Sequence, residues 1–166
     1  VAYRRAQKLG ISPDRMQIVG LPVADRFCQP LGDRGKIRAR LGWPLEIPVV
    51  ILVGGGEGMG PLEPTARAIN AARLPVQLVI IAGRNKKLKE RLEKQAWDIP
   101  TLIYGFVQEM PDFMRAADIL VSKAGPGTIS EAFIAGLPVI LYSRLPGQED
   151  GNVGYVVDNG AGVWAP

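Results

Sequence analysis

Short apolar runs recur along this chain, and each is followed by a glycine-rich turn or a helical pattern. Continuous apolar runs are typical of strands buried on both faces, as in a parallel sheet. Such runs predict strands at residues 49–53, 76–82, 102–107, 119–121, 139–142 and 162–164. Helical patterns occupy 85–96, 110–117, 128–135 and 152–159, and another helix is predicted to start at Pro61. This alternation predicts an α/β fold with a doubly wound, Rossmann-like parallel sheet.

The segment before the first strand does not follow the alternation. Residues 1–9 have the pattern of a helix end, residues 18–27 that of a linker, and residues 34–41 that of a helix capped by Gly42. The chain also opens with Val1 and not with Met. We therefore expect residues 1–30 to be a connector from a missing N-terminal domain, and residues 31–166 to form the domain itself.

The composition excludes several classes of enzyme. The 166 residues contain no histidine and one cysteine, Cys28. This excludes an intrachain disulfide, a cysteine-based zinc site, His-ligated metals, and hydrolases or proteases that use a histidine base. The chain has no D-x-D sequence, so metal chemistry has little support.

Charge is distributed unevenly along the chain. Residues 1–100 hold 17 basic and 9 acidic side chains, whereas residues 101–166 hold 3 and 7. The basic part fits either solvated helix faces or contact with an anionic surface. No basic run is interleaved with aromatic residues, so nucleic acid is not an expected partner. No apolar run reaches the ~20 residues that span a bilayer.

Two glycine-rich loops follow predicted strands. Residues 54–60 read GGGEGMG, which allows either a close approach to phosphate or only a tight turn. They do not match the dinucleotide fingerprint or a P-loop. In the second loop, Gly125 and Gly127 precede a helix predicted to begin near Thr128, whose N-terminus favours a pyrophosphate. Glu131 fits either a capping box with Thr128 or a carboxylate that binds ribose hydroxyls.

A third loop, residues 145–152, reads LPGQEDGN. Its polar side chains suit the hydroxyls of a sugar, but they suit an exposed turn equally well.

Together the three loops resemble the C-terminal, donor-binding half of the two-domain glycosyltransferase B architecture. The resemblance is to glycosyltransferase family 28, and within it to the monogalactosyldiacylglycerol synthase group. The specific match is KAGPGTISEA followed by PGQEDGN, with GNVGYVVDNGAG at residues 151–162. IVGLPVADRF at residues 18–27 resembles the family's interdomain linker.

The resemblance implies a metal-independent, inverting transfer from UDP-galactose or UDP-glucose, with no cofactor. It implies that backbone groups of Phe106 and Val107 meet uracil, and that Glu131 takes the ribose hydroxyls. Gly127 and Thr128 would hold the diphosphate. The other implied donor-binding residues are Gln148, Glu149 and Asn152 at the sugar, and the loop glycines Gly55, Gly56, Gly58 and Gly125. The segment YSRL at 142–145 departs from the plant enzymes, which leaves galactose or glucose open.

The implied acceptor is diacylglycerol, held by the missing domain at a membrane surface. The general base would lie in that domain, so the chain alone is expected to be inactive. The implied location is peripheral, on the cytoplasmic inner face of the membrane. The alternatives are a lipid II-type N-acetylglucosaminyltransferase, a UDP-N-acetylglucosamine 2-epimerase, and a non-catalytic nucleotide-binding module.

Overall fold

Six parallel strands form one sheet at the centre of the chain. A computed structural model describes residues 2–30, 32–58 and 60–166. The strands are β1 Val49–Val53, β2 Gln77–Ile81, β3 Thr101–Tyr104, β4 Ile119–Lys123, β5 Val139–Ser143 and β6 Gly162–Trp164. Their order is β3-β2-β1-β4-β5-β6, and every pair is parallel. The predicted doubly wound α/β class is confirmed.

Eight α-helices and one 3-10 helix, Pro13–Arg15, are described. The α-helices are α1 Ala2–Lys8, α2 Asp25–Cys28, α3 Arg34–Leu41, α4 Leu62–Ala71, α5 Lys86–Glu93, α6 Met110–Ala116, α7 Pro126–Ile134 and α8 Asp150–Asp158. The predicted front helix begins at Val1, and the predicted domain begins at Leu31; both residues lie outside the described ranges. Within the described ranges, no helix has the length and apolarity needed to cross a bilayer.

Three predicted boundaries are wrong in ways that affect the site. The third strand ends at Tyr104 and not at residue 107, so Phe106 and Val107 belong to a loop. Helices α7 and α8 each begin two residues earlier than predicted, at Pro126 and Asp150. For α7 the reason is that proline suits the first helical position, where its fixed φ is already helical.

The sheet separates two apolar cores, one on each face. Along β1, Val49, Ile51 and Val53 contribute to one core, and Val50 and Leu52 to the other. Side chains from α4 and α5 cover the second core, while those from α3, α6, α7 and α8 cover the first. Because β1 is buried on both faces, the sequence there has no polar alternation.

The connector is joined to this core near its end. Phe27 of α2 is buried in the first core, beside side chains of α6 and α7. Farther forward, Leu9, Ile18 and Val19 are each 75% exposed. The short helix α2 is therefore packed on the domain, although it lies within the predicted connector.

Tyr142 of β5 leads to a testable pH dependence. It is buried, its hydroxyl lies 3.4 Å from the carbonyl of Val53, and burial raises its pKa to about 12. Above pH 10 the unfolded chain loses this proton while the folded chain keeps it, so stability falls as pH rises from 10 to 12. We expect a decrease of about 2 kcal/mol in the free energy of unfolding, measured by urea denaturation at stepped pH.

Tyr142→Phe should remove most of that decrease. Tyr155→Phe is the matched control, because Tyr155 is 58% exposed, and it should leave the decrease in place. An unchanged pH dependence in Tyr142→Phe would contradict the assignment.

Candidate functional site

A cavity of about 250 Å³ lies at the carboxyl edge of the sheet. All strands are parallel, so the loops that follow them gather at this edge. Strands β1 and β4 are neighbours from which the chain winds in opposite directions. In open α/β sheets this switch point forms a crevice where ligands bind. The cavity is lined by residues of the loop after β1 and by the first turns of α7.

Seven of the predicted donor-binding residues line this cavity. They are Gly55, Gly56, Phe106, Val107, Gly127, Thr128 and Glu131. They come from the loop after β1, the loop after β3 and helix α7, which are far apart in sequence. The fold therefore brings the predicted nucleoside, ribose and phosphate residues to one place.

The first turn of α7 is open toward ligand. Gly125 is the N-cap in extended conformation, and no side chain caps the helix. The N–H groups of Gly127 and Thr128 have no acceptor within the helix, because the first-turn donors of any helix lack one. A Cβ built on Gly127 would meet no other atom within 4 Å, so packing does not require glycine there. The space beside Gly127 is free for an anion.

This geometry excludes one of the two predicted roles of Glu131, the capping box, and its ribose role stays a prediction. Since the N-cap is Gly125, Thr128 lies inside the helix and cannot form a capping box with Glu131. Glu131 lies one turn farther along the same helix face and is half-buried. Burial raises the pKa of its carboxyl above the ordinary value, and Arg26 acts in the opposite direction. No described side chain or N–H group is hydrogen-bonded to this carboxylate, which leaves it available to a ligand.

Gly58 has a packing role. Its φ is +59°, and a Cβ there would lie 2.3 Å from the carbonyl oxygen of Ala82. The turn after β2 is held against this loop by a 2.8 Å hydrogen bond from Arg84 N–H to the carbonyl of Gly56. Gly58 does not line the cavity, and the turn after β2 explains why glycine is needed there.

The Glu149 carboxylate is buried and binds other groups of the protein. Its side chain is 3% exposed, and its Oε1 lies 2.9 Å from Nζ of Lys123. Its Oε2 accepts a 2.8 Å hydrogen bond from the N–H of Leu145. This ion pair ties the loop after β5 to the end of β4. Glu149 does not line the cavity, and both of its carboxylate oxygens already have protein partners.

The remaining predicted residues also lie outside the cavity lining. Asn152 donates a 2.9 Å hydrogen bond to the carbonyl of Ala124, which joins α8 to the loop after β4. Gln148 is exposed, and Gly125 lies beside the Lys123–Glu149 pair. A role in sugar binding for Gln148, Glu149 and Asn152 stays a prediction.

Three basic residues at this edge were not predicted from the sequence. Arg26 lines the cavity, and Lys123 pairs with Glu149. The guanidinium of Arg84 lies 4.4 Å from the ring centroid of Phe106 and pairs with Glu57 at 2.8 Å. Lys123 is the last residue of β4 and Arg84 lies three residues after β2, so their positions near strand ends could have indicated a role at this edge. The sequence around Arg26 contains no motif that would predict its place in the cavity.

No group of three or more His, Cys, Asp or Glu side chains among the described residues could hold a metal ion. That the site works without a metal ion or a cofactor stays a prediction.

Comparisons with known proteins match this chain to one family. The model of the glycosyltransferase family 28 C-terminal domain matches residues 49–165. A probable monogalactosyldiacylglycerol synthase 2, chloroplastic, of Oryza sativa subsp. japonica is 47% identical, over 98% of this chain and 36% of its own length. Monogalactosyldiacylglycerol synthase 1, chloroplastic, of Arabidopsis thaliana is 46% identical, over 98% and 32%. The chain thus spans about a third of the length of these relatives.

A solved structure shares the fold. The crystal structure of Acinetobacter baumannii MurG superposes with a TM-score of 0.66 at 19% identity, covering 92% of this chain and 44% of that one. At this identity the likeness concerns architecture alone.

Proposed function

Because the chain belongs to glycosyltransferase family 28, as its C-terminal domain, we propose that it is the donor-binding part of a transferase that makes glycolipid. The family resemblance seen in the loop motifs is confirmed. The proposed donor is UDP-galactose or UDP-glucose, and the proposed acceptor is diacylglycerol. The observation that carries the proposal is the convergence of seven predicted donor residues on one cavity at the switch point of the sheet.

The proposed binding mode follows the lining of the cavity. Backbone groups of Phe106 and Val107 meet the uracil edge at the end of β3. The carboxylate of Glu131 accepts hydrogen bonds from the ribose hydroxyls. The free N–H groups of Gly127 and Thr128 hold the diphosphate, where the helix dipole favours negative charge.

In this proposal the domain assists departure of the leaving group. Negative charge develops on UDP as the sugar leaves, and amides already aimed at the phosphates stabilise it. The transfer is proposed to be inverting and without a metal. The base that activates the acceptor hydroxyl is assigned to a domain outside this chain, so this chain alone binds the donor but does not transfer sugar.

The acceptor is inferred from the names of the relatives, which are monogalactosyldiacylglycerol synthases. A diacylglycerol acceptor requires contact with a membrane surface, and we propose that this contact is peripheral. The cytoplasmic inner face predicted from the sequence remains part of the proposal.

Calorimetric titration of the chain tests the donor proposal. We expect UDP, UDP-galactose and UDP-glucose to bind, and ADP to bind at least tenfold more weakly. Gly127→Val is the matched variant: it adds a side chain in open space and should abolish UDP binding without loss of folding. Tighter binding of UDP-N-acetylglucosamine than of the two hexose donors would favour the lipid II-type or epimerase alternative. Absence of binding by every uridine nucleotide would overturn the proposal.

A further inference from the structure

Arg26 contributes a positive charge to the cavity. Arg26 and Glu131 are the two charged side chains among the described residues that line it. The Arg26 guanidinium lies 5.9 Å from the centroid of the Phe27 ring. Within the described ranges no carboxylate lies within ion-pair distance of this guanidinium, since the ion pairs there involve other arginines. Its positive charge is therefore available to a ligand.

The backbone that carries Arg26 is fixed to the domain. Arg115 of α6 has a side chain only 9% exposed, and it donates hydrogen bonds to three carbonyls of this segment. They are the carbonyls of Arg26 and Phe27, both at 3.2 Å, and of Gln29, at 2.8 Å. Phe27 next to it is buried in the core. Arg26 thus projects from an anchored backbone at the mouth of the cavity.

The charge balance of the cavity leaves a role for this arginine. A nucleoside diphosphate carries at least two negative charges, whereas a helix N-terminus supplies only about half a positive charge. When ionised, the Glu131 carboxylate adds a further negative charge to the same cavity. Arg26 is the one full positive charge in the described lining that can offset both.

We propose that Arg26 is a donor-positioning residue that binds the phosphate oxygens of the nucleotide-sugar from the connector side of the cavity. The Gly127 and Thr128 amides, which line the same cavity, hold the same group. This inference rests on the proposed function, because it concerns the same ligand. It also means that the connector is part of the donor site.

The test compares UDP with uridine on the full-length transferase. Arg26→Ala should weaken UDP binding about tenfold or more, because a charge-assisted hydrogen bond to phosphate is lost. The same variant should weaken uridine binding by less than about twofold, because uridine has no phosphate. Arg26→Lys should restore most of the UDP affinity, since the charge is kept. Arg15→Ala is the matched control: Arg15 is an exposed connector arginine outside this cavity, and both ligands should bind it as they bind the wild type. UDP affinity of the wild type should also fall more steeply with salt than that of Arg26→Ala.

Two results would overturn the inference. One is an equal loss of UDP and uridine binding in Arg26→Ala, which would mean that Arg26 shapes the cavity but does not bind phosphate. The other is unchanged UDP binding. If Arg26→Ala does not fold, Arg26→Gln replaces it in the same comparison. If the wild type itself does not bind UDP, the proposed function fails, and that outcome is distinct from both.

Discussion

Replacing Glu149 by alanine is expected to lower the free energy of unfolding by about 3 kcal/mol. The carboxylate is buried between Nζ of Lys123 and the N–H of Leu145, and the variant leaves both without their partner. Breaking a buried pair on one side costs more than the pair contributes, because an uncompensated charge remains. Lys123 is 22% exposed, so water reaches its ammonium and keeps the loss near the lower end of the range for such pairs.

Urea denaturation measures this loss, with Glu93→Ala as the control. Glu93 pairs with Lys89 on the surface of α5, and its removal should cost about 0.5 kcal/mol. The double variant Lys123→Met with Glu149→Leu should recover part of the stability, since it removes both charges. A stability loss below 1 kcal/mol in Glu149→Ala, together with loss of sugar transfer, would favour the sugar-binding role predicted from the sequence.

Glu131→Ala, in contrast to Glu149→Ala, is expected to weaken ligand binding and to leave stability nearly unchanged. The variant should weaken UDP binding about 100-fold, or roughly 3 kcal/mol, because two hydrogen bonds from ribose hydroxyls to a carboxylate are lost. Stability should stay nearly unchanged, since the described structure gives this carboxylate no bonded partner. Because the pKa of Glu131 is raised, protonation should also weaken UDP binding at a higher pH than for an ordinary glutamate.

A ligand that lacks one hydroxyl provides the control for Glu131. The wild type should bind UDP about tenfold more tightly than 2′-deoxy-UDP, and Glu131→Ala should bind the two almost equally. If the variant keeps the full preference for UDP, then another group contacts the ribose, and the proposed role of Glu131 is wrong.

The sheet was largely predictable because its central strands, such as β1 and β2, are buried on both faces. Runs such as residues 49–53 contain only apolar side chains, and no helical period fits them. The helix starts were less predictable. Proline at 126 reads as part of the loop by composition, yet it occupies the first helical position of α7. That shift of two residues changes Thr128 from a cap into a first-turn residue, and it removes the capping-box explanation of Glu131.

The charges of the site could not be predicted from local sequence. Glu149 lies in a polar loop whose composition predicts exposure. In the fold it is buried and paired with Lys123, which is 26 positions away in sequence. Arg26 reaches the cavity because Arg115, 89 positions away, holds the carbonyls of its segment. Such contacts depend on how the connector packs against α6, and no spacing within either segment encodes them.

Amide chemical shifts recorded during a UDP titration of the chain report which backbone groups meet the nucleotide. We expect saturable shifts concentrated at Gly55, Gly56, Val107, Gly127 and Thr128, with small shifts at Val163 on the edge strand. Shifts centred on another surface, or none at millimolar UDP, would contradict the claim that this cavity is the donor site.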